Sequence, residues 1–430
     1  MEVLIALVVL LLLIFLRIPL FLALTIVGLV GFYIITGNWN ASVLMAAQRV
    51  IDTTQNYNLS VVPLFILMGQ IISQSGLAAS LYRSAHAILW KFPGSHCLTT
   101  IATCGLLSSL SGSSIATTAT VGPMAMTNMR RRGYADSLST GSIVAGSTLG
   151  IIIPPSVMLV IYGIMTETSI RELFVAGIGP GILGMLLYGL TVLWIVKKRS
   201  NSAPIELVKP SKLCTKDIKW TILLVGLVIL TLGGIYTGFF TPTESASVGV
   251  LGVLVLSFVK NQLPISGYLQ AVIDTVKTSS AIFLVVIGSL VFSNFVNVAQ
   301  FTQWFTGFID NIGGGIILTL GLFLLAYIIL GLFLESMSLL LLTVPIFFPI
   351  TAALGIDPIW FGIIIIIMIE LSLITPPIGM NIFTLQSVVP DTSLKDIYKG
   401  AIPFCIANII RAILVVAFPS IALLLPTIVY

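Results

Sequence analysis

The chain has 430 residues, 57% of them hydrophobic and only 8% charged, against about 25% charged in an ordinary soluble domain. That balance excludes a soluble fold of this size, and the net charge of +5 comes from basic residues set between apolar runs rather than in a stripe for nucleic acid. Cysteines 97, 104, 214 and 405 form no CxxC pair, so neither a disulfide framework nor a zinc site is expected.

At about 20 apolar residues per crossing, the runs at 3–16, 18–36, 60–76, 97–128, 139–165, 174–196, 220–236, 245–259, 278–296, 313–350, 360–387 and 402–428 predict an all-α polytopic membrane protein with about ten transmembrane helices. The opening run has no basic segment before it and meets Arg17 where a secretory signal would carry small residues, so it reads as a retained helix. Residues 82–96, with Ala85, Ile88, Leu89 and Phe92 at helical spacing, predict an amphipathic surface helix carrying both histidines, 86 and 96. Its counterpart over 301–309 carries Trp304 as an interfacial anchor. The runs 97–128 and 313–350 are too long for one crossing and hold polar centres, Ser108 to Ser114 and Glu335 to Ser338. Each is expected to be a re-entrant helical hairpin with its tip inside the protein, because irregular backbone is tolerated at membrane depth only there or beside water. Runs 139–165 and 360–387 contain Pro154-Pro155 and Pro376-Pro377 and predict broken helices.

Comparing the halves at a fixed offset of 222 residues gives nine identities over 112–162, among them Ser114 with Ser336, Gly133 with Gly355, and the two Pro-Pro pairs. An internal duplication follows. Five full crossings separate the hairpins, an odd number, so the copies are expected to have opposite orientation. The excess of basic residues in cytoplasmic loops bears on this separately. With the N-terminus outside, 17 of the 20 basic residues fall inside, Arg49 and Arg171 outside, and Arg411 within a helix, and both termini face the periplasm. Inverted repeats with broken helices meeting near the midplane are an architecture of secondary transporters. The expected units are scaffold helices over 1–59 and 220–277, transport parts over 60–196 and 278–430, and a cytoplasmic linker over 197–219.

Each proline inside a helix removes an N–H and frees the carbonyl four residues earlier. The two breaks should therefore release the carbonyls of Gly150 and Ile151 and those of Ser372 and Leu373. Such carbonyls are satisfied by neighbouring helices and water in a simple kink, or by a hard cation that takes oxygen ligands. Two aligned breaks facing two polar tips favour the cation, and sodium over a divalent ion because only Glu335 among the tip residues adds a full negative charge. The candidate sodium ligands are Ser111, Gly112, Ser113 and Ser114 at the first tip and Gly150, Ile151, Pro154 and Pro155 at the first break. Glu335 and Ser336 at the second tip, with Ser372, Thr375, Pro376, Pro377 and Gly379 at the second break, complete them.

The half-helices that restart at Ser113-Ser114, Glu335-Ser336, Ser156 and 378–381 present N-terminal N–H groups suited to a carboxylate. Thr117, Thr118, Ser156, Met380 and Asn381 are the substrate candidates, whereas Ala116, Ala119 and Thr120 read as small residues for close helix packing. Glu370 and Arg411, charges at membrane depth, either act in transport or pair with each other. Glu244 is expected to cap the helix it begins.

In the order and spacing of Arg17-Ile-Pro-Leu20, Ser111-Gly-Ser-Ser114, Arg131-Arg-Gly-Tyr134, Ile153-Pro-Pro-Ser156, Thr241-Pro-Thr-Glu244 and Thr375-Pro-Pro-Ile-Gly-Met-Asn381, the chain resembles the DctM-type large membrane subunit of the tripartite ATP-independent periplasmic (TRAP) transporters. The resemblance covers essentially the whole chain. It implies a sodium-driven, elevator-type importer of an organic acid (a C4-dicarboxylate, sialic acid or another sugar acid) in a bacterial inner membrane. It also implies a small four-helix membrane subunit of DctQ type, expected as a separate polypeptide because the first helix begins at Val3, and a periplasmic substrate-binding protein of DctP type. Beyond membrane lipid and the coupling Na+, no organic cofactor, nucleic acid or enzymatic activity is expected.

Three rivals are distinguishable. An ATP-driven permease would need an ATPase partner, since no GxxxxGK[ST] occurs. An intramembrane serine hydrolase would need a base at membrane depth, and neither histidine is expected there. A passive anion channel would use the same helix ends but could only dissipate a gradient.

Overall fold

The computed structural model describes residues 2–199, 202–204 and 215–429. Cys214 and much of the expected linker lie outside the described residues; Cys97, Cys104 and Cys405 are buried free thiols. Among the described residues there are twenty α-helices and no strand.

The chain opens with α1 (Glu2–Phe15) and α2 (Leu20–Thr36), separated by Arg17 in the left-handed region and by Pro19. Helix α3 (Trp39–Gln55) starts on the Asn38 side chain, which accepts from Ala41 N–H. It escapes a search for apolar runs because only one face, Trp39, Val43, Leu44, Val50 and Ile51, is apolar, and that face is exposed. Next come α4 (Val61–Gln74), α5 (Leu77–Leu89), α6 (Ser95–Ser111), α7 (Ser114–Arg131), α8 (Asp136–Thr148), α9 (Val157–Thr166) and α10 (Ile170–Lys198).

The second half comprises α11 (Thr215–Tyr236), α12 (Pro242–Lys260), α13 (Ile265–Val298), α14 (Phe301–Ile312), α15 (Gly315–Gly331), α16 (Ser336–Ala353), α17 (Pro358–Ile374), α18 (Met380–Val388), α19 (Leu394–Ala417) and α20 (Ser420–Val429). As expected, Thr241 and Glu244 cap α12 reciprocally: Thr241 N–H donates to the Glu244 carboxylate at 2.8 Å, and Glu244 N–H donates to Thr241 Oγ1 at 3.2 Å. At 1.5 Å per residue the 34-residue α13 is about 51 Å long, well beyond a hydrocarbon core of about 30 Å. It runs unbroken through residues 277 and 278 and packs along α2, α4 and α16.

Seven helical segments are long and apolar enough to cross a membrane, and α14 with α15, bent by 118°, makes an eighth if counted as one span. The apolar helices α1, α2, α9, α17 and α20 are shorter. Length alone thus yields fewer spans than the ten expected: the Pro-Pro breaks leave α9 and α17 short, Pro419 leaves α20 short, and α1 and α2 are themselves only 14 and 17 residues long.

Two expectations are corrected. Residues 82–96 are not one surface helix: α5 ends at Leu89, Pro93 lacks the N–H to continue it, and Gly94 turns at φ 72° before α6 begins. Both histidines are buried with their rings stacked, centroids 4.1 Å apart. Likewise 402–428 is not continuous, since Pro419 divides α19 from α20.

The register of the duplication recurs in the backbone. Both ends of α7 precede those of α16 by the same 222 residues that separate Ser114 from Ser336, as does the start of α8 that of α17. Gly133 and Gly355 lie in the left-handed region at matching turns, and Pro154-Pro155 and Pro376-Pro377 are both cis. The paired helices α8 and α17 form the centre of the molecule. All of 138–148 in α8 is buried, as is α17 from Phe361 to Ile374. Helix α8 touches α6, α7 and α19, while α17 touches α15, α16 and α19.

Candidate functional site

The first tip is built by the shortest possible break. Helix α6 ends at Ser111, Gly112 turns at φ 64°, and Ser113 starts α7 by accepting Ala116 N–H at 3.2 Å. Gly112 is required twice over, since a Cβ there would also lie 2.5 Å from Val157 Cγ2. Behind the turn, three oxygens converge. Thr117 Oγ1 lies 3.1 Å from Ser111 Oγ and donates to the Ser113 carbonyl at 3.0 Å, while Ser111 Oγ donates to that carbonyl at 3.2 Å. Hydroxyl and carbonyl oxygens of this kind are ligands for a hard cation, and in this half-buried cluster they hydrogen-bond one another. Thr118 instead spends its hydroxyl on the Ser114 carbonyl within α7 at 2.9 Å.

Ser114 carries the connection between halves. Its hydroxyl donates to Asn381 Oδ1 at 3.1 Å, and Asn381 Nδ2 donates to the Val144 carbonyl in α8 at 3.3 Å. The tip of one half is therefore bonded to the restart of the other half's broken helix, and both side chains are buried. Val144 contributes only its backbone, so no side-chain signal in the sequence could have named it.

At the first break, Gly150, Ile151, Pro154, Pro155 and Ser156 are all buried. Ser156 caps α9 by accepting Leu159 N–H at 3.3 Å, and its hydroxyl donates to the Ile151 carbonyl. The carbonyl that Pro155 cannot engage is thus taken up locally. At the second break, Thr375 Oγ1 donates to the Leu371 carbonyl at 2.6 Å and Ser372 Oγ to the Ile369 carbonyl at 2.7 Å. Tyr398, which the sequence did not single out, donates its hydroxyl to the Pro377 carbonyl. Gly379 turns at φ 59° beside the Leu373 and Thr375 carbonyls, and Met380 opens α18 half-buried.

The second tip is chemically different. Glu335 caps α16, its carboxylate accepting Met337 N–H at 3.0 Å and Ser338 N–H at 3.3 Å, while Ser336 Oγ donates to it at 2.7 Å. The positive end of α16 is thereby met by a charge of the chain itself. Glu335 and Ser336 stay with their own half here, whereas Ser114 and Asn381 cross over.

Each break is also pressed against its own hairpin. A Cβ at Gly150 would come within 2.1–2.3 Å of the Ser108–Ser109 backbone, and one at Gly331 within 2.2 Å of Ser372 Cβ. Gly150 matches Ser372 and Ser109 matches Gly331 at the 222-residue offset. The same close approach therefore recurs with its glycine on opposite sides. Glu370 and Arg411 are both fully buried and pair through Arg411 Nη2, with Arg411 Nε donating to Asn408 Oδ1 at 3.0 Å. Gly184 makes room for the guanidinium, since a Cβ there would meet Nη1 at 2.2 Å. No group of three or more His, Cys, Asp or Glu side chains suited to a metal occurs among the described residues.

The family model for the DctM component of the tripartite ATP-independent periplasmic transporters matches residues 7–421. The chain belongs to the DctM family. A C4-dicarboxylate TRAP transporter large permease protein of Pseudomonas aeruginosa is 33% identical to this DctM chain over 389 residues, 90% of each protein. A sialic acid TRAP transporter large permease protein of Vibrio cholerae is 33% identical over 397 residues, 92% of each. An ectoine large permease protein of Halomonas elongata is 30% identical over 409 residues, 95% of each. The YdaH transporter of Alcanivorax borkumensis shares the fold at a TM-score of 0.60 and 16% identity, over 88% of this DctM chain and 86% of its own. The chain is a multi-pass membrane protein of the TRAP permease family, and its relatives are named as permeases.

Proposed function

We propose that this TRAP large permease imports an organic acid together with sodium across a bacterial inner membrane. The hairpins α6–α7 and α15–α16, with the broken helices α8–α9 and α17–α18, move as an elevator against a scaffold of α1, α2, α11 and α12. The two halves are inverted relative to each other, and both termini face the periplasm. A small membrane subunit and a periplasmic binding protein complete the transporter, and the binding protein selects among substrates such as dicarboxylates or sialic acids.

The observation that supports this reading most is the bonded path from Val144 through Asn381 to Ser114. It ties a serine-rich tip in one half to a diproline break in the other, beside the oxygen cluster of Ser111, Ser113 and Thr117. A cation in that cluster and a carboxylate at the adjoining helix starts would compensate each other's charge, so that neither is carried alone. The energetics are sufficient. A tenfold sodium gradient contributes about 1.4 kcal/mol per ion and 100 mV about 2.3 kcal/mol per charge. Two sodium ions with one monoanion would then supply roughly 5 kcal/mol, above the roughly 4.1 kcal/mol of a 10³-fold accumulation.

The decisive experiment is reconstitution with the two partner proteins in vesicles, followed by uptake with sodium or potassium outside. Uphill uptake that requires sodium is expected. Uptake that only dissipates a gradient would indicate a channel, and uptake that needs ATP and ignores sodium would indicate an ATP-driven permease.

A further inference from the structure

An apolar groove of about 670 Å³ lies between α10 and α19, away from the tips and breaks. Its walls repeat at helical spacing, Leu187, Leu190 and Trp194 on one side and Ile402, Ile406 and Ile410 on the other. Most of these are exposed, Leu190 by 59% and Ile406 by 54%, as suits a wall facing hydrocarbon. From Leu187 to Arg199 the α10 wall rises about 18 Å at 1.5 Å per residue, a length that accommodates an acyl chain rather than a compact solute.

One end of the groove is basic. Lys198 and Arg199 end α10, Lys399 approaches from α19, and all three line the groove. Trp194 is exposed one turn before Lys198, whose ammonium sits 4.8 Å from the indole centroid. A Trp followed by cations marks the headgroup level of a membrane. Among the described residues the neighbouring carboxylates have partners of their own: Asp136 accepts two hydrogen bonds from Arg130 at 3.0 and 2.7 Å, and Asp396, one turn before Lys399, accepts from Ser393 Oγ at 2.7 Å.

Two neutral features add to this end. Helix α8 begins beside it, with Ser137 and Leu138 in the lining, and its N-cap Ala135 offers no side-chain acceptor to the first-turn N–H groups. Pro403, also in the lining, removes the helical N–H that the Lys399 carbonyl would otherwise accept. That carbonyl suits a hydroxyl donor on a headgroup.

From this arrangement we propose that the α10–α19 groove binds one anionic phospholipid, its phosphate at Lys198, Arg199 and Lys399 and an acyl chain along the apolar walls. Basic pockets between membrane helices recognise anionic headgroups by this chemistry. Phosphatidylglycerol fits best, because its headgroup adds hydroxyl donors to the phosphate. The inference is independent of the transport reading, and it holds whichever leaflet the basic end faces.

The test is native mass spectrometry of the full purified chain titrated with phosphatidylglycerol, phosphatidylethanolamine or glycerol 3-phosphate. Phosphatidylglycerol is expected to be retained at least fivefold better than phosphatidylethanolamine, and glycerol 3-phosphate not at all. K198Q/R199Q/K399Q should erase the preference, while K91Q/R131Q/K277Q, which removes equal charge elsewhere, should keep it. L187W/I406W, which fills the groove without changing charge, should lower retention of both lipids and keeps the test valid if the triple variant does not fold. Equal retention of the two phospholipids, equal loss in the charge control, unchanged retention in L187W/I406W, or displacement of the lipid by the small subunit or a second copy would overturn the proposal.

Discussion

Thirteen of the seventeen residues of α6 are buried, but only five of the seventeen of α15, although both are first arms of hairpins whose second arms share one register. Helix α6 lies among α4, α5, α8 and α10, and its hydroxyls turn back on its own carbonyls, as Thr100 does on His96 at 2.7 Å. Helix α15 instead leaves Ile317, Leu325 and Ile329 exposed. Hydropathy therefore does not by itself distinguish interior helices from exposed ones. The two central helices make the same point, since α8 is rich in Ser, Gly and Thr while α17 carries an isoleucine run, and both are buried. Lipid is as apolar as a protein core, so close packing rather than transfer from water decides which helices meet.

The largest expected difference between the halves comes from the buried ion pair, for which the first half has Thr148 at the position matching Glu370. Arg411→Met should destabilise by about 3–5 kcal/mol by leaving Glu370 buried and unpaired. Adding Glu370→Leu should recover most of that loss. Thermal unfolding in detergent measures both, and equal stability of the single and double variants would break the comparison.

Next are the mirrored close approaches. Gly331→Ala and Gly150→Ala should each cost about 1–3 kcal/mol through overpacking. Ser372→Gly should restore at least 1 kcal/mol to Gly331→Ala, a coupling expected of residues in contact. Ser109→Gly should not rescue Gly150→Ala, because that clash is with backbone. A double-mutant cycle with equal rescue in both halves would show that the two crossings do not differ as described.

At the tips, Ser114→Ala removes the bond to Asn381, worth about 1 kcal/mol, and should raise the sodium concentration for half-maximal uptake roughly fivefold. Ser336→Ala should act in the same direction but less, because its hydroxyl bonds the neighbouring Glu335. Sodium activation unchanged in both, at normal expression, would remove the tips from the coupling scheme. The smallest effect is expected from Ser113→Ala, about 0.5–1 kcal/mol for one lost helix cap, read as a shift in melting temperature.

Much of the candidate site was legible because its signals are local. Two diprolines, a Ser-Gly-Ser-Ser turn and a Thr-Pro-Thr-Glu cap dictate helix ends from a few consecutive residues, and the helices do end there. The pairing of Glu370 with Arg411 could be anticipated from their isolation among apolar residues. Tyr398 and the Val144 carbonyl could not, since nothing beside either residue in the chain indicates a partner in another helix. The histidines misled for the opposite reason. A run with helical spacing looked like one surface helix, while Pro93 and Gly94 divided it and the resulting turn folded both rings inward.

Taken alone, the order of residues determined that this chain is helical, crosses a membrane repeatedly, repeats its turn and diproline signals at one 222-residue offset and breaks its helices where proline cannot donate. Only the folded structure decided that Ser114 reaches Asn381, that one hairpin arm is sealed while its twin stays exposed, and which side of each crossing supplies the glycine. Proline and turn residues act on the backbone within a few bonds, so their effect is written beside them. Contacts between helices hundreds of residues apart depend on shape, and surfaces that suit lipid and surfaces that suit another helix are built from the same side chains.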